Sequence, residues 1–389
     1  MKLDELLSRV VERGGSDLHL KVASPPMARI DGELIPIDDR AVTEGDVEAV
    51  LVKLTDRAPA RRESFLATGD LDTAYIADGL GRFRVNAFRQ RGSVSFAFRF
   101  IPNTVPTFRQ LGLPSGVERL AGEHRGLVLV TGATGSGKST TLAAMVDKIN
   151  RDRKHHIVTI EDPIEFVHQD WGSIVNQREV GLDTESYAQA LRRVLRQDPD
   201  VILIGELRDE ESAQAALHAA ESGHFVLSTM HTIDATETVA RLIEFFPPQK
   251  QLMVRTILAG VLRGVVSQRL LPKVGGGRVA AVEVMVNTAR IADLIRDPAK
   301  TDGIAEAIED GDFHQMQSFS QHLVQLVLDE LVELETAANA ATNRHDFEIA
   351  VQQALRRKQA QSNGAPPAEP AAEEPQQDNG PGLRLASER

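Results

Sequence analysis

The chain has 389 residues, of which 42% are hydrophobic and 26% are charged, which is ordinary for a folded protein with room for two domains. It contains no cysteine, and this excludes disulfides, thiol catalysis and cysteine-ligated zinc sites. The formal net charge of -12 disfavours nucleic-acid binding, although a local basic patch remains compatible with it. No apolar run approaches the ~18 residues of a membrane span, and the charged first residues lack a signal-peptide core, so a cytoplasmic location is expected.

Residues 1–100 have the pattern of a small mixed α/β domain. Leucines and valines between Leu3 and Val11 recur at helical spacing, and a second helix is predicted over Thr43–Thr55. The predicted strands are Ser16–Val22, Met27–Ile30, Leu34–Ile37, Arg82–Phe88 and Val94–Phe100. Asp31-Gly32 and Arg91-Gly92 separate two pairs of these strands, which predicts two hairpins.

Residues 101–114 are predicted to form an interdomain linker. The segment contains Pro102, Pro106 and Pro114. Proline fixes the backbone locally and removes a hydrogen-bond donor, so a continuous helix or central strand is not expected here.

Residues 115–357 are predicted to form a doubly wound α/β domain. Four apolar runs suit strands buried on both faces of a parallel sheet: Leu127–Val130, Ile157–Ile160, Val201–Ile204 and Phe225–Ser228. Predicted helices separate or follow them: Ser139–Asn150, Thr184–Arg196, Asp209–Glu221 and Ala235–Phe245, then Ala289–Arg296, Ser318–Glu335 and Asp346–Arg357. The tail, residues 358–389, is rich in Pro, Ala, Gln and Glu and is predicted to be disordered.

A phosphate-binding pattern, G-x-x-x-x-G-K-[ST], follows the first of these strands. It reads Gly132, Ala133, Thr134, Gly135, Ser136, Gly137, Lys138 and Ser139, and Thr140 comes next. Glycines let backbone N–H groups point at phosphate oxygens, and the following helix adds its positive end. We expect Lys138 to reach the β and γ phosphates of ATP and Ser139 to ligate Mg²⁺. The alternative, a chance glycine turn, is disfavoured because a strand precedes the pattern and a helix follows it.

Two acidic segments also follow predicted strands. Glu206 comes after Val201–Ile204 and is expected near Mg²⁺, directly or through a metal-bound water. Glu161, Asp162 and Glu165 lie close together, and such carboxylates repel one another unless a cation or a proton-transfer role compensates. One of these three is therefore a candidate base for the attacking water. A solvated strand end or turn is the alternative interpretation of both segments.

Histidines and arginines supply further candidates. His224 and His231 bracket the strand Phe225–Ser228, where a histidine can contact the γ-phosphate or serve only the structure. Arginines cluster in the first domain, at Arg82, Arg84, Arg89, Arg91 and Arg99. Guanidinium groups suit phosphate recognition, including recognition from a neighbouring subunit, and an ordinary surface of ion pairs is the alternative.

Together these motifs resemble the secretion-type ATPases of type IV pili and type II secretion, from about Leu3 to about Ala354. The strings that carry the resemblance are Gly15–His19, Arg82–Phe88, Gly126–Val130, Ile160–Phe166, Asn176–Glu179, Glu206–Asp209 and Gly276–Ala281. The chain is most similar to the retraction type, with accessory retraction paralogues next. Extension types commonly carry a four-cysteine zinc site, which is lacking here. One departure is the helix Ala289–Asp297, where only the Leu294-Ile295-Arg296 core matches the retraction type.

The resemblance implies a PAS-like N-terminal domain and a RecA-like ATPase domain, assembled as a homohexameric ring with ATP bound between the two domains. By position it implies that Glu165 is the catalytic base and that Glu206 lies near Mg²⁺. It further implies that His224 and His231 couple the γ-phosphate to domain movement, and that Arg84 and Arg99 complete the site.

The implied function is ATP hydrolysis that powers type IV pilus retraction. The expected partners are an inner-membrane platform protein and a paralogous pilus ATPase, at the inner face of the cytoplasmic membrane. Two other functions stay open from the sequence alone: a nucleotide-gated module that hydrolyses little itself, and a DNA-translocating ring. The acidic balance of the chain disfavours the second of these.

Overall fold

The computed structural model describes residues 2–30, 32–56, 59–101 and 104–362, and it contains two β-sheets in succession along the chain. The first sheet has six strands and the second has seven. Each sheet packs against its own cluster of buried apolar side chains. Within the described residues, no helix is both long and apolar enough to cross a membrane. The predicted α/β fold class is confirmed.

The first sheet is antiparallel throughout, in the order β3-β2-β1-β6-β5-β4. The elements of this part are α1 (Leu3–Glu12), β1 (Asp17–Lys21), β2 (Met27–Ile30), β3 (Glu33–Pro36), α2 (Glu44–Thr55), α3 (Pro59–Thr68), β4 (Asp70–Ala77), β5 (Gly81–Gln90) and β6 (Ser93–Ile101). Both predicted hairpins are present, although Asp31 lies outside the described residues. Helix α3 and strand β4 were not predicted. Charged residues dominate the start of α3, and among the side chains of α3 that the structure describes, only Phe65 is fully buried.

The predicted linker is partly helical. Strand β6 ends at Ile101, and Pro102 and Asn103 lie outside the described residues. Helix α4 (Phe108–Leu111) then begins at a capping box between Thr107 and Gln110 and ends at Gly112, whose φ is 64°. Helix α5 (Ser115–Ala121) follows directly. The domain boundaries at residues 100 and 115 stay a prediction.

The second sheet is parallel except at one edge. Its strand order is β13-β12-β7-β11-β10-β8-β9, and among these neighbours only β12 and β13 are antiparallel. The elements are β7 (Gly126–Thr131), α6 (Lys138–Asp152), β8 (His156–Glu161), β9 (Ile174–Glu179), α7 (Tyr187–Val194), β10 (Val201–Ile204), α8 (Glu210–Glu221), β11 (Phe225–Met230), α9 (Ala235–Glu244), α10 (Pro248–Val261), β12 (Leu262–Pro272), β13 (Arg278–Val286), α11 (Ala289–Arg296), α12 (Ile304–Glu309), α13 (Phe319–Leu328), α14 (Leu334–Ala340) and α15 (Arg344–Ser362). Single turns of 3₁₀ helix lie at Thr301–Gly303 and Asp312–His314.

The four predicted strands of this sheet are confirmed, whereas β9, β12, β13 and helix α10 were not predicted. The single helix predicted over Ser318–Glu335 is wrong, since α13 and α14 are two helices. Helix α15 continues to Ser362, past the predicted start of the disordered tail. The rest of that tail, residues 363–389, lies outside the described residues.

The sheet brings distant segments to one edge. Strands β7, β11, β10 and β8 are neighbours and parallel, so their carboxyl ends lie side by side. All six residues of β7 are buried, which fixes the position of the loop that follows it. The phosphate-binding pattern, the acidic segments and His231 each follow one of these strands.

Candidate nucleotide-binding site

The phosphate loop, residues 132–137, connects β7 to α6 in a conformation that requires glycine. Gly132, Gly135 and Gly137 have φ values of 137°, 79° and 94°. A Cβ on Gly132 would lie 2.4 Å from the carbonyl oxygen of Gln268 on β12, so no side chain fits between the loop and that strand. Gly137 is the N-cap of α6, so the free N–H groups of the first helical turn are available to an anion. The backbone thus forms an anion-binding cradle.

Lys138 supplies a buried positive charge to this cradle. The residue is 9% exposed, and its Nζ donates to the carbonyl oxygens of Gly132 at 2.8 Å and Ala133 at 3.1 Å. Burial lowers the pKa of Lys138, while the negative charges of Glu206 and Glu165 act in the opposite direction. An ammonium group held mainly by neutral carbonyl oxygens in a low-dielectric setting attracts a phosphate strongly.

The loop lines a cleft of about 460 Å³ together with the acidic segments and one histidine. The predicted site residues that the structure brings to this cleft are Thr134, Gly135, Gly137, Lys138, Ser139, Thr140, Glu165, Glu206 and His231. They come from segments that follow β7, β8, β10 and β11. The cleft is therefore built at the carboxyl edge of the sheet, where open α/β sheets bind ligands.

Glu206 is at the centre of a small charged network in this cleft. One carboxylate oxygen lies 3.2 Å from Nε2 of His231, and the other lies 3.0 Å from Nη2 of Arg208. The side chain is only 18% exposed. The preceding Gly205 is packed closely, since a Cβ there would lie 2.6 Å from the hydroxyl of Tyr187. Packing and ion pairing together fix the position of the Glu206 carboxylate.

The carboxylates after β8 differ in their surroundings. Glu161 accepts hydrogen bonds from Oγ1 of Thr159 at 2.6 Å and Nε2 of Gln177 at 3.1 Å, and burial raises the pKa of its carboxyl. Glu161, Asp162 and Glu165 all line the cleft, and among them Asp162 and Glu165 are exposed. A general base must reach the proton that it removes. This geometry favours the prediction of Glu165 as the base over Glu161.

His224 lies at the opposite edge of the sheet from the cleft. It precedes β11, whereas His231 follows β11, and the six residues of that strand span ~20 Å. The Nδ1 of His224 lies 3.0 Å from the carbonyl oxygen of Ala219 at the end of α8. His224 therefore does not line the cleft of its own chain, and its expected role in coupling the γ-phosphate to domain movement stays a prediction.

The two predicted arginines also lie away from the cleft of their own chain. Arg84 and Arg99 face each other across β5 and β6, and Nε of Arg99 donates to Asp17 at 2.8 Å. Neither side chain lines the cleft. Contact with a nucleotide requires a movement of the first sheet or a neighbouring subunit.

The cleft residues that were not assigned from the sequence include Tyr187, Arg208 and Arg278. Arg208 and Arg278 lie in strings that carry the family resemblance, so those strings contained the signal. Tyr187 begins α7, and its place in the cleft depends on the turn after β9, which no sequence pattern indicated. Burial raises the pKa of the Tyr187 hydroxyl, so this group stays protonated at neutral pH.

Comparison with known proteins agrees with this geometry. Residues 2–357 match the family model described as type II/IV secretion system protein. The chain belongs to this family. The type IV pilus retraction ATPase PilT of Pseudomonas aeruginosa is 44% identical over 348 residues, covering 89% of this chain and 100% of PilT. The type IV pilus ATPase PilU of the same organism is 40% identical over 353 residues, covering 90% of this chain and 91% of PilU.

A solved structure of the same family gives a similar result. The crystal structure of the pilus retraction motor PilT with bound ADP has a TM-score of 0.82 and 44% identity, and it covers 90% of this chain and 99% of that one. The resemblance to retraction-type secretion ATPases is thereby confirmed. The glycine cradle of this chain, with Lys138 beside the N-terminus of α6, has the donors and the positive charge that suit a phosphate group.

Proposed function

We propose that this type II/IV secretion family member is a hexameric ATPase that powers type IV pilus retraction. The observation that carries the proposal is that one cleft is lined both by the phosphate loop with its buried Lys138 and by Glu165, Glu206 and His231. The similarity to PilT supports a role in pilus retraction. The ADP in the PilT crystal structure supports nucleotide binding.

Each cleft residue has a chemical role in this proposal. Lys138 binds the β and γ phosphates, and Glu165 accepts a proton from the attacking water. His231, held against Glu206, contacts the γ-phosphate. Ser139 and Glu206 would hold Mg²⁺, which, when bound, neutralises negative charge on the phosphate oxygens. Two protein ligands are enough, because Mg²⁺ at phosphate sites is usually bound by one or two protein groups, phosphates and water.

Nucleotide binding must be coupled to a change of shape for the chain to act as a motor. A ligand shifts such an equilibrium only by its different affinity for the two shapes. Lys138 is one source of this difference, since its two hydrogen bonds to the loop carbonyls are replaced by bonds to phosphate. His231 is a second source, because its side chain is 47% exposed and its Nε2 lies 3.2 Å from a carboxylate oxygen of Glu206, so a γ-phosphate can compete for that nitrogen.

The ring provides the remaining parts of the proposed site. In a homohexamer, Arg84 and Arg99 of one subunit complete the cleft of another or approach their own after domain closure. The ring acts at the inner face of the cytoplasmic membrane on a platform protein there, with a paralogous pilus ATPase as a further partner. A PilU-type accessory role is the second candidate, because helix α11 departs from the retraction pattern and PilU is itself 40% identical.

Steady-state hydrolysis by the purified full-length chain tests the proposal. We expect Lys138→Ala to abolish ATP binding and turnover. Glu165→Gln should bind ATP normally but lose turnover by about 10²- to 10⁴-fold, the usual contribution of a general base. Lys154→Ala, at an exposed position outside the cleft, is the matched control. Near-normal turnover in Lys138→Ala would refute the site, and wild-type turnover as low as that of Glu165→Gln would favour a nucleotide-gated module.

The direction of force is tested in cells. Deleting the gene should leave cells with excess surface pili and no twitching, because pili would still be assembled but not withdrawn. Cells without surface pili would instead indicate an extension motor.

A further inference from the structure

A buried ion pair joins the first sheet to the second close to the cleft. Arg82 on β5 donates through Nη2 to Oε2 of Glu179, the last residue of β9. The side chains are only 13% and 5% exposed, so the pair is largely removed from water. Arg61 on α3 adds a second contact between the two parts, since it donates to the carbonyl oxygen of Gly181 just after β9.

The same carboxylate holds the loop that carries Glu165. Oε2 of Glu179 also accepts a hydrogen bond from the backbone N–H of Ile164 at 3.1 Å. Ile164 is buried and immediately precedes Glu165, which lines the cleft. One oxygen atom therefore connects an arginine of the first sheet with the residue next to the candidate base.

Gln177, two residues earlier on β9, holds the rest of this loop. Its Nε2 donates to the carbonyl oxygen of Phe166 at 2.8 Å, and its Oε1 accepts from the backbone N–H of His168 at 2.8 Å. Side chains at alternate positions of a strand lie on the same face, so Gln177 and Glu179 bind the loop together. The loop of residues 162–168 is thus fixed to β9, and β9 is fixed to the first sheet.

We propose that Arg82 and Glu179 form a positioning pair that transmits movement of the first sheet to Glu165. Arg82 touches Glu179, Glu179 holds the amide of Ile164, and Ile164 sets where the next residue, Glu165, enters the cleft. The pair acts on hydrolysis rather than on nucleotide affinity. The phosphate loop connects β7 to α6, where Lys138 begins the helix, and its position does not depend on the pair. This inference rests on the proposed function.

Two variants break the pair in different ways. Arg82→Met removes the charge but keeps an apolar side chain of similar length. Glu179→Gln removes the opposite charge and keeps an oxygen that can accept from the Ile164 amide. If Glu179 only held the loop, Glu179→Gln would behave as wild type. If the link to the first sheet matters, both variants should lose activity to a similar extent, and the double variant should be no worse than either.

The expected result is a split between kcat and binding. Both variants should lower kcat for ATP by between about twofold and thirtyfold, the range of coupling between linked sites. The Kd for ADP should stay within about twofold of wild type, because ground-state binding is untouched. Arg62→Met is the matched control, since Arg62 pairs with Glu48 inside the first domain. Unchanged kcat in both variants, or an equal loss of kcat and ADP affinity, would overturn the inference.

A second measurement does not depend on activity. Amide hydrogen exchange in the loop of residues 162–168 should become about tenfold faster in Arg82→Met, while β10 and β11 stay as protected as in wild type. Unchanged exchange in the loop would overturn the positioning pair even if the chain proved to hydrolyse nothing. Conversely, faster loop exchange in Arg82→Met together with normal turnover in Lys138→Ala would refute the proposed function but still support the positioning pair.

Discussion

Glu283 on β13 offers a test of stability against pH. Its carboxyl is 8% exposed and accepts a hydrogen bond from the backbone N–H of Ala235 at 2.8 Å, where α9 begins. Burial, with a further contribution from Asp234, raises the pKa of this carboxyl from 4.5 to about 7. Hydrogen bonds from Ala235 and Ser267, together with the charge of Arg269, act against that shift.

The sign of the effect follows from which state ionises first. As the pH rises above 4.5, the unfolded chain loses the Glu283 proton while the folded chain keeps it, so the folded state is progressively destabilised until the pH passes about 7. The penalty is about 1 kcal/mol at pH 5 and about 3 kcal/mol at pH 8 by proton linkage. Glu283→Gln stays neutral and can still accept from Ala235, so it should escape this penalty.

The assay is the melting temperature of wild type and Glu283→Gln at pH 5 and pH 8. The variant should melt higher at pH 8, and its advantage should grow between the two pH values by roughly 4–8 °C, since 1 kcal/mol shifts a domain of this size by about 2–4 °C. Glu221→Gln, at an exposed position at the end of α8, is the control and should show no such growth. An advantage that is constant with pH, or larger at pH 5, would refute the assignment of Glu283 as the group that titrates.

Two further substitutions follow from the fold of the second sheet. Gly132→Ala should prevent ATP binding in a filter or fluorescence assay, because φ is 137° there and a Cβ would overlap the Gln268 carbonyl; binding within twofold of wild type would contradict the cradle geometry. Asp209→Ala should lower the free energy of unfolding by about 1 kcal/mol in thermal melts, because Asp209 forms the capping box of α8 with Ser212. Asp209→Asn keeps the cap and should melt close to wild type, and equal melting of the two variants would rule out the cap.

The sequence was sufficient for those parts of the site that depend on one chain segment. The phosphate loop was predictable because a fixed pattern, a buried strand before it and a helix after it all lie within residues 126–152. The acidic segments and His231 were predictable because each follows an apolar run, and parallel strands place such ends on one edge. His224 shows the limit of that reasoning. It precedes its strand, and the start of a parallel strand lies at the opposite edge.

Contacts between the two sheets could not be predicted. Strand β9 carries Asn176, Gln177, Arg178 and Glu179, and so many polar residues weaken the apolar signal of a buried strand. Gln177 and Glu179 are turned inward because Gln177 holds the loop of residues 162–168 and Glu179 holds both that loop and Arg82, and no local sequence pattern indicates such partners. Helix α3 was missed for a related reason, since Arg61 contacts the carbonyl oxygen of Gly181, which follows β9 of the second sheet. Burial of polar side chains depends on partners far away in the sequence.

Two buried carboxylates of the second sheet, Glu179 and Glu283, have a different role from the residues that line the cleft. The central strands β7, β10 and β11 supply Lys138, Glu206 and His231, whereas the edge strands β9 and β13 supply Glu179 and Glu283. Each edge carboxylate accepts a backbone N–H from a segment that carries or follows a cleft residue, at Ile164 and at Ala235. Edge strands also face the rest of the molecule, with β9 touching the first sheet and β13 the C-terminal helix α13. Because the phosphate loop follows the buried central strand β7, whereas Glu179 links the first sheet to the loop before Glu165, a displacement of the first sheet acts more directly on that loop than on the phosphate loop.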